Sequence, residues 1–291
     1  MHWARVVGRN LILLAATVSL GCTPFQPKTD RSPLTAAQMS PDSMALDVFF
    51  VRCPYGDPVA NEQLWQEIDE QQIPLETRRR LTANGFRAGV ISGQMPITLS
   101  QLLELKGNTK PIGGAQTTEL SEIGSEEGPM WSHQQVRPHK RIELNTSEIY
   151  PELPVLVPGP DGISGETYQR AQGVIAVRAT PEKDGRVLLE VVPELHHGEE
   201  QRNISSTQGA WRIDMARPRV AFDDMALSTR LAPGHMIVLS CLPGRHGSLG
   251  HHFLTTDSSG SLEQKLLVIR LSQTQHNELF EPAAISLDDV P

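Results

Sequence analysis

The chain has 291 residues, 38% of them apolar and 21% charged, and its 26 basic and 34 acidic side chains give a formal charge of −8. That apolar content supports a buried core, whereas the net acidity denies the chain the positive field that draws phosphate backbones, so nucleic acid is not an expected partner. Setting aside the leader described next leaves about 270 residues, and two domains are expected by the length prior.

Arg5 and Arg9 precede an apolar run from Leu11 to Leu20 that ends in Gly21-Cys22. A basic start, about ten apolar residues and a small residue before the cut site make a secretory leader, and the run is too short for a spanning helix. The ending Ser19-Leu20-Gly21-Cys22 resembles the lipobox of bacterial lipoproteins. The resemblance implies that residues 1–21 are removed and that Cys22 is the site of lipid attachment, with the mature chain held at the membrane of the cell envelope, facing the periplasm or the exterior. Ser19 stands where the lipobox has an aliphatic residue, which leaves cleavage by the ordinary signal peptidase as the alternative. With Cys22 lipidated, Cys53 and Cys241 are the cysteines available for a disulfide in an oxidising compartment; the other reading is two buried thiols acting as small apolar side chains.

Residues 22–43 are rich in Pro, Thr, Ser and Gln without periodicity and are expected to form a flexible tether. A small α/β unit follows over 44–106. The run Leu46 to Arg52 predicts a strand, and the spacing of Leu64, Trp65, Ile68 and Ile73 predicts a helix from Asn61 that Pro74 interrupts. A second helix is expected over Leu75 to Ala83 with Gly85 as its C-cap, then a strand over Phe86 to Ile91 and a third helix over Pro96 to Leu105. Trp65 and Trp211 are expected core anchors, and Arg78-Arg79-Arg80 reads as a solvated helix face, the alternative being a patch for an acidic partner or lipid headgroups.

Residues 107–130 have little apolar content and read as a linker. Beyond them the pattern turns to strands, giving a mostly antiparallel β domain over 131–275 and a tail over 276–291; the overall class is α+β. Strands are expected at Arg141 to Leu144, Val174 to Ala179, Arg186 to Val192, Trp211 to Asp214, Ala226 to Leu231, His235 to Leu242 and Lys265 to Leu271. Two hairpins are expected, one across Pro181 to Gly185 and one joining Leu227–Leu231 to Met236–Leu242 across Pro233-Gly234.

This half resembles part of the C-terminal domain of bacterial secretins. The order Val174 to Ala179, Asp184-Gly185, Arg186 to Val191 and Pro193-Glu194 is similar to a secretin strand pair, and Thr229, Pro233 to Leu239, Ser248 to Phe253 and Leu266 to Leu271 continue the likeness over about 100 residues. Ser240-Cys241 replaces the Gly-Gly pair of secretins, and the chain is too short for their stacked periplasmic domains and full pore. The resemblance implies a secretin-like β scaffold used for interaction. The amino-terminal unit, including Leu64 to Glu70 and Arg78 to Leu81, is also similar to a family of planctomycete envelope proteins, a likeness that carries no chemistry.

Two chemistries have candidate residues. His196-His197, His235, His246 and His251-His252, with Cys241 and Glu199-Glu200 nearby, are the residue types of a zinc site, and Ser240 with His235 or His251 and Asp223 or Asp224 are those of a nucleophilic triad. Neither spacing specifies a site, so no catalytic, cofactor-binding or metal-ligating residue is assigned and no cofactor is expected. The expected function is non-enzymatic: an envelope lipoprotein that binds a protein partner or further copies of itself through β-strand edges such as 226–231 or 265–271. The alternative is a metal-dependent or hydrolytic envelope enzyme built on the histidines of 235–252.

Overall fold

The computed structural model describes residues 43–104, 110–111, 130–159, 162–207, 210–258 and 260–274, all within one compact unit. The leader, Cys22, the tether up to residue 42, most of 107–130 and the tail beyond 274 lie outside the described residues, as does the side chain of Trp211.

In chain order the elements are β1 (Met44–Pro54), a π-turn (Val59–Gln63) running into a 3-10 turn (Leu64–Gln66), α1 (Leu75–Ala83), β2 (Phe86–Ile91), α2 (Ile97–Glu104) and β3 (Lys110–Pro111). Then come β4 (Met130–Val136), β5 (Arg141–Asn145), β6 (Tyr150–Gly159), β7 (Gly162–Pro181), β8 (Val187–His196), β9 (Gln201–Thr207), β10 (Ala210–Ala216) and β11 (Arg219–Ala221). A 3-10 turn (Asp223–Met225) precedes β12 (Leu227–Leu231), β13 (Met236–Cys241), α3 (Leu249–Leu254), β14 (Thr255–Ser258) and β15 (Ser261–Thr274).

The strands build two main sheets. The first runs β2-β13-β15-β1-β4-β3, with β14 also paired to β15; the second runs β11-β8-β7-β5, with β12 also on β8 and β6 on β7. Every pairing is antiparallel except β3 with β4. Alternation along each strand decides where the core sits. Leu46, Val48 and Phe50 of β1, Ile237 and Leu239 of β13 and Leu267 and Ile269 of β15 join one core with Ile175 and Val177 of β7 and Leu189 and Val191 of β8. The intervening residues Val51, Cys53, Val238, Leu266 and Val268 form a second core with Ala60, Leu64, Trp65, Leu99 and Leu102 of the helical segments. The first sheet is therefore buried on both faces, which is why β1 and the middle of β15 read as near-continuous apolar runs.

Four expectations are corrected by this topology. The segments 44–106 and 131–275 are not separate bodies, since β1 is paired with β15 and β4, and β2 with β13. Leu227–Leu231 and Met236–Cys241 are not a hairpin: β12 pairs with β8 in the second sheet and β13 with β15 and β2 in the first. Pro233-Gly234 instead carries the chain from one sheet to the other, with Gly234 at φ +90° and its N–H donating to Leu271 O at 2.7 Å. The helix from Asn61 stops after Gln66, because Asp69 extends to exchange 2.9 Å backbone hydrogen bonds with Val90 of β2.

The fourth correction concerns the disulfide. Cys53 on β1 and Cys241 on β13 are separated by β15. Two strand spacings of about 4.8 Å exceed the roughly 7 Å limit on Cα separation for a bridge. The side chains also belong to different cores, Cys53 under the helical layer and Cys241 between the sheets, and no disulfide joins them.

α1, β2 and the Gly85 cap stand where the sequence places them, with Gly85 at φ +79°. Behind the cap lies a close backbone contact. A Cβ on Gly250, in α3, would sit 2.2 Å from Gly85 O, while Gly250 N donates to Asn84 O at 2.9 Å. Gly250→Ala is expected to cost about 1–3 kcal/mol by overpacking, while Gly244→Ala, which meets nothing within 4 Å, is expected to be near neutral; urea unfolding of both variants checks the difference.

Candidate functional site

A group of titratable and aromatic side chains gathers around α3. α3 begins at Ser248, whose Oγ accepts from His251 N at 3.3 Å, a short N-cap that turns the chain back after the 242–247 loop. The Gly85–Gly250 contact fixes the helix against the α1–β2 turn. Phe253 packs over Gly173 of β7 and edge-on to Phe86, ring centres 5.6 Å apart, which anchors the inner face of the helix.

Three rings then cluster around His251. Its centre lies 5.3 Å from that of His246, 5.5 Å from His252 and 5.7 Å from Tyr55, and Tyr55 is 5.2 Å from His246. The Tyr55 hydroxyl donates to Pro243 O and so ties the loop that carries His246 to the end of β1. Tyr150 at the start of β6 packs edge-on to His252, with its hydroxyl donating to His252 O at 2.9 Å. Burial pushes the Tyr150 phenol up to about 12, keeping it a neutral donor. Burial, reinforced by the neighbouring histidines, lowers the His251 pKa; burial lowers that of His252, against a hydrogen bond the ring donates to the Gly247 backbone. Both imidazoles are thus neutral at pH 7.

Lys265 is a second buried titratable group. It lies directly across from Arg52 of β1, is 3% exposed, and donates from Nζ to Thr146 O at 2.9 Å. The 145–148 segment that supplies this carbonyl is clasped in turn: Thr146 N donates to Gly173 O at 2.9 Å and Thr256 Oγ1 to Glu148 Oε1 at 3.2 Å. Desolvation first, and the Arg52 charge second, depress the Lys265 pKa to about 8, with Glu148 and Glu263 opposing.

The other sequence candidates fall elsewhere. His235 stands at the opposite end of β13 from Cys241, so the histidines of 235–252 are not one site. His196 lies 3.2 Å from Glu194 in a group with Arg141, and His197 packs on Tyr168. Cys241 donates to Leu254 O within the core, and burial raises its pKa to about 12, so it stays a thiol. Ser240 is 1% exposed and accepts from Gln264 Nε2 at 2.7 Å, while Asp223 and Asp224 occupy the turn before β12; the triad residues are not brought together. Among the described residues no group of three or more His, Cys, Asp and Glu side chains is placed to hold a metal ion. Tyr55, Tyr150 and Lys265 were not singled out by the sequence. Lys265 reads there as the polar end of a strand, and nothing local marks the cross-sheet contacts of the two tyrosines.

A proton-linked stability follows from Lys265. Its folded pKa of about 8 lies below its ordinary 10.5, so between those values the unfolded chain binds more protons and stability rises with pH. The full effect is about 3 kcal/mol. Wild type is expected to gain on Lys265→Met by up to that amount between about pH 7 and about pH 10, measured by urea unfolding of both proteins. The depressed histidines act at the other end: protons taken up by the unfolded chain make stability fall as pH drops through 6.5.

No family model, no curated protein and no solved structure matches this chain, so its function is read from its own geometry.

Proposed function

We propose that the protein is a non-enzymatic lipoprotein of the cell envelope, anchored by lipid on Cys22, whose secretin-like β body binds a protein partner or further copies of itself. The observation that carries this reading is the edge of the second sheet. β12 is paired to β8 alone among the described strands, along the register Leu227–Val191 to Leu231–Val187, and leaves its other side open. Leu227, Thr229 and Leu231 are buried and Ser228 and Arg230 are exposed, so one face of the strand is held to the body.

Two other segments are less suited to adding a strand. The 265–271 segment belongs to β15, which lies between β1 and β13 and has no open side there. β6 carries Pro151, Pro154 and Pro158, each without an N–H, and proline on an edge strand blunts it against pairing. β12 therefore takes the role by β-augmentation.

Two experiments test the two halves of the proposal. Intact mass and membrane fractionation are expected to show a lipid increment and membrane association that Cys22→Ala abolishes; an unlipidated soluble product in both forms contradicts the anchor. A photo-crosslinking residue at Ser228 is expected to trap a partner chain in cells, and one at Glu152 on β6 is not. Equal crosslinking at both positions, or none at Ser228, contradicts the β12 edge.

A further inference from the structure

His251 poses an unresolved hydrogen-bonding problem. Both of its ring nitrogens are shielded from solvent, and neither has a hydrogen-bond partner. A neutral imidazole carries one donor and one acceptor, and buried groups of this kind are almost always satisfied by protein, ordered water or an ion. The His246 ring stands beside it, centres 5.3 Å apart and planes at 59°. Two imidazoles sharing a tetrahedral ion through bonds of about 2.0 Å place their ring centres about 5 Å apart.

We propose that His246 and His251 form a two-imidazole site for a borderline divalent transition-metal ion, Zn²⁺ or Cu²⁺, with water filling the remaining positions. Imidazole nitrogen is the donor type that such ions prefer over carbonyl or hydroxyl oxygen. The surroundings hold the pair in place. Tyr55 packs against both rings and, through its hydrogen bond to Pro243 O, fixes the exposed loop that bears His246. The Gly85–Gly250 contact and the Ser248 cap fix His251.

Other nearby donors do not join. Cys241 turns into the core toward Leu254 O, and no third His, Cys, Asp or Glu completes the set among the described residues. The coordination is therefore open, which makes the ion exchangeable and distinguishes this site from a closed structural zinc centre. The site is independent of the β12 edge and calls for no catalytic step.

The test uses the purified protein without a histidine tag. Zn²⁺ is drawn from a chromophoric chelator, and Cu²⁺ is used separately to broaden imidazole proton resonances. Wild type is expected to take a single ion per chain, with His246 and His251 resonances broadened first. His246→Gln, on the exposed loop, and His251→Gln, checked for folding by circular dichroism, are each expected to weaken binding about tenfold or more, and His235→Gln to leave it unchanged. Wild-type affinity in His246→Gln, equal loss in His235→Gln, or no stoichiometric uptake by wild type overturns the proposal.

Discussion

The pairing of β1 with β15 is the constraint on which the remaining structure depends. Its register runs from Met44–Thr274 to Pro54–Glu263, so it joins segments more than 200 positions apart in the chain. Each partner is also flanked on its other side, β1 by β4 and β15 by β13. Both faces of the pair are buried, one against the second sheet and one against the helical segments. Closing so long a loop has an entropic cost that the apolar area of two cores must offset, and a fold dominated by such contacts is expected to form slowly.

The polar groups near one end of that pair follow from the same arrangement. Lys265 and Arg52 are cross-strand neighbours, and the 145–148 segment reaches Lys265 through the Thr146 carbonyl. Burial is tolerated because Thr146 O receives the Lys265 ammonium and Glu148 lies close enough to favour its charge. Nearby, α3 and the loop before it bring Tyr55, Tyr150, His246, His251 and His252 together. A backbone contact between two glycines, Gly85 and Gly250, thereby sets the geometry of side chains drawn from β1, β6 and α3.

Local structure was legible in the sequence wherever one face of an element is buried or a cap is marked. α1 and β2 occupy their expected bounds, and the hairpin of β7 and β8 turns through Pro181 to Gly185 as its composition indicates. Pairing was not legible. Pro233-Gly234 carries the signature of a tight hairpin, yet the strands on either side enter different sheets, a choice made by distant partners and not by the turn. β6 and the first half of β7 escaped notice because prolines interrupt β6 and the ribbon exposes polar residues alongside Leu156 and Ile163. Where the ribbon passes into the second sheet, Arg170 takes a left-handed φ of +51° between the Tyr150–Ala171 and Glu152–Gln169 pairs with no change of register, a feature no residue type announces. The histidines were visible as residues, but only the fold separates His235 from His246 and His251.

The functional reading rests on a rigid scaffold that presents the β12 edge, and that rigidity depends on the body being a single unit closed by β1 and β15. Native-state hydrogen exchange measured strand by strand tests this most directly. The account predicts that amides of β1, β2, β13 and β15 exchange slowest and with a common free energy, because they open only when the whole body unfolds. Protection in β1 and β2 that survives the opening of β13 and β15 would show that residues 44–106 fold alone, and would contradict it.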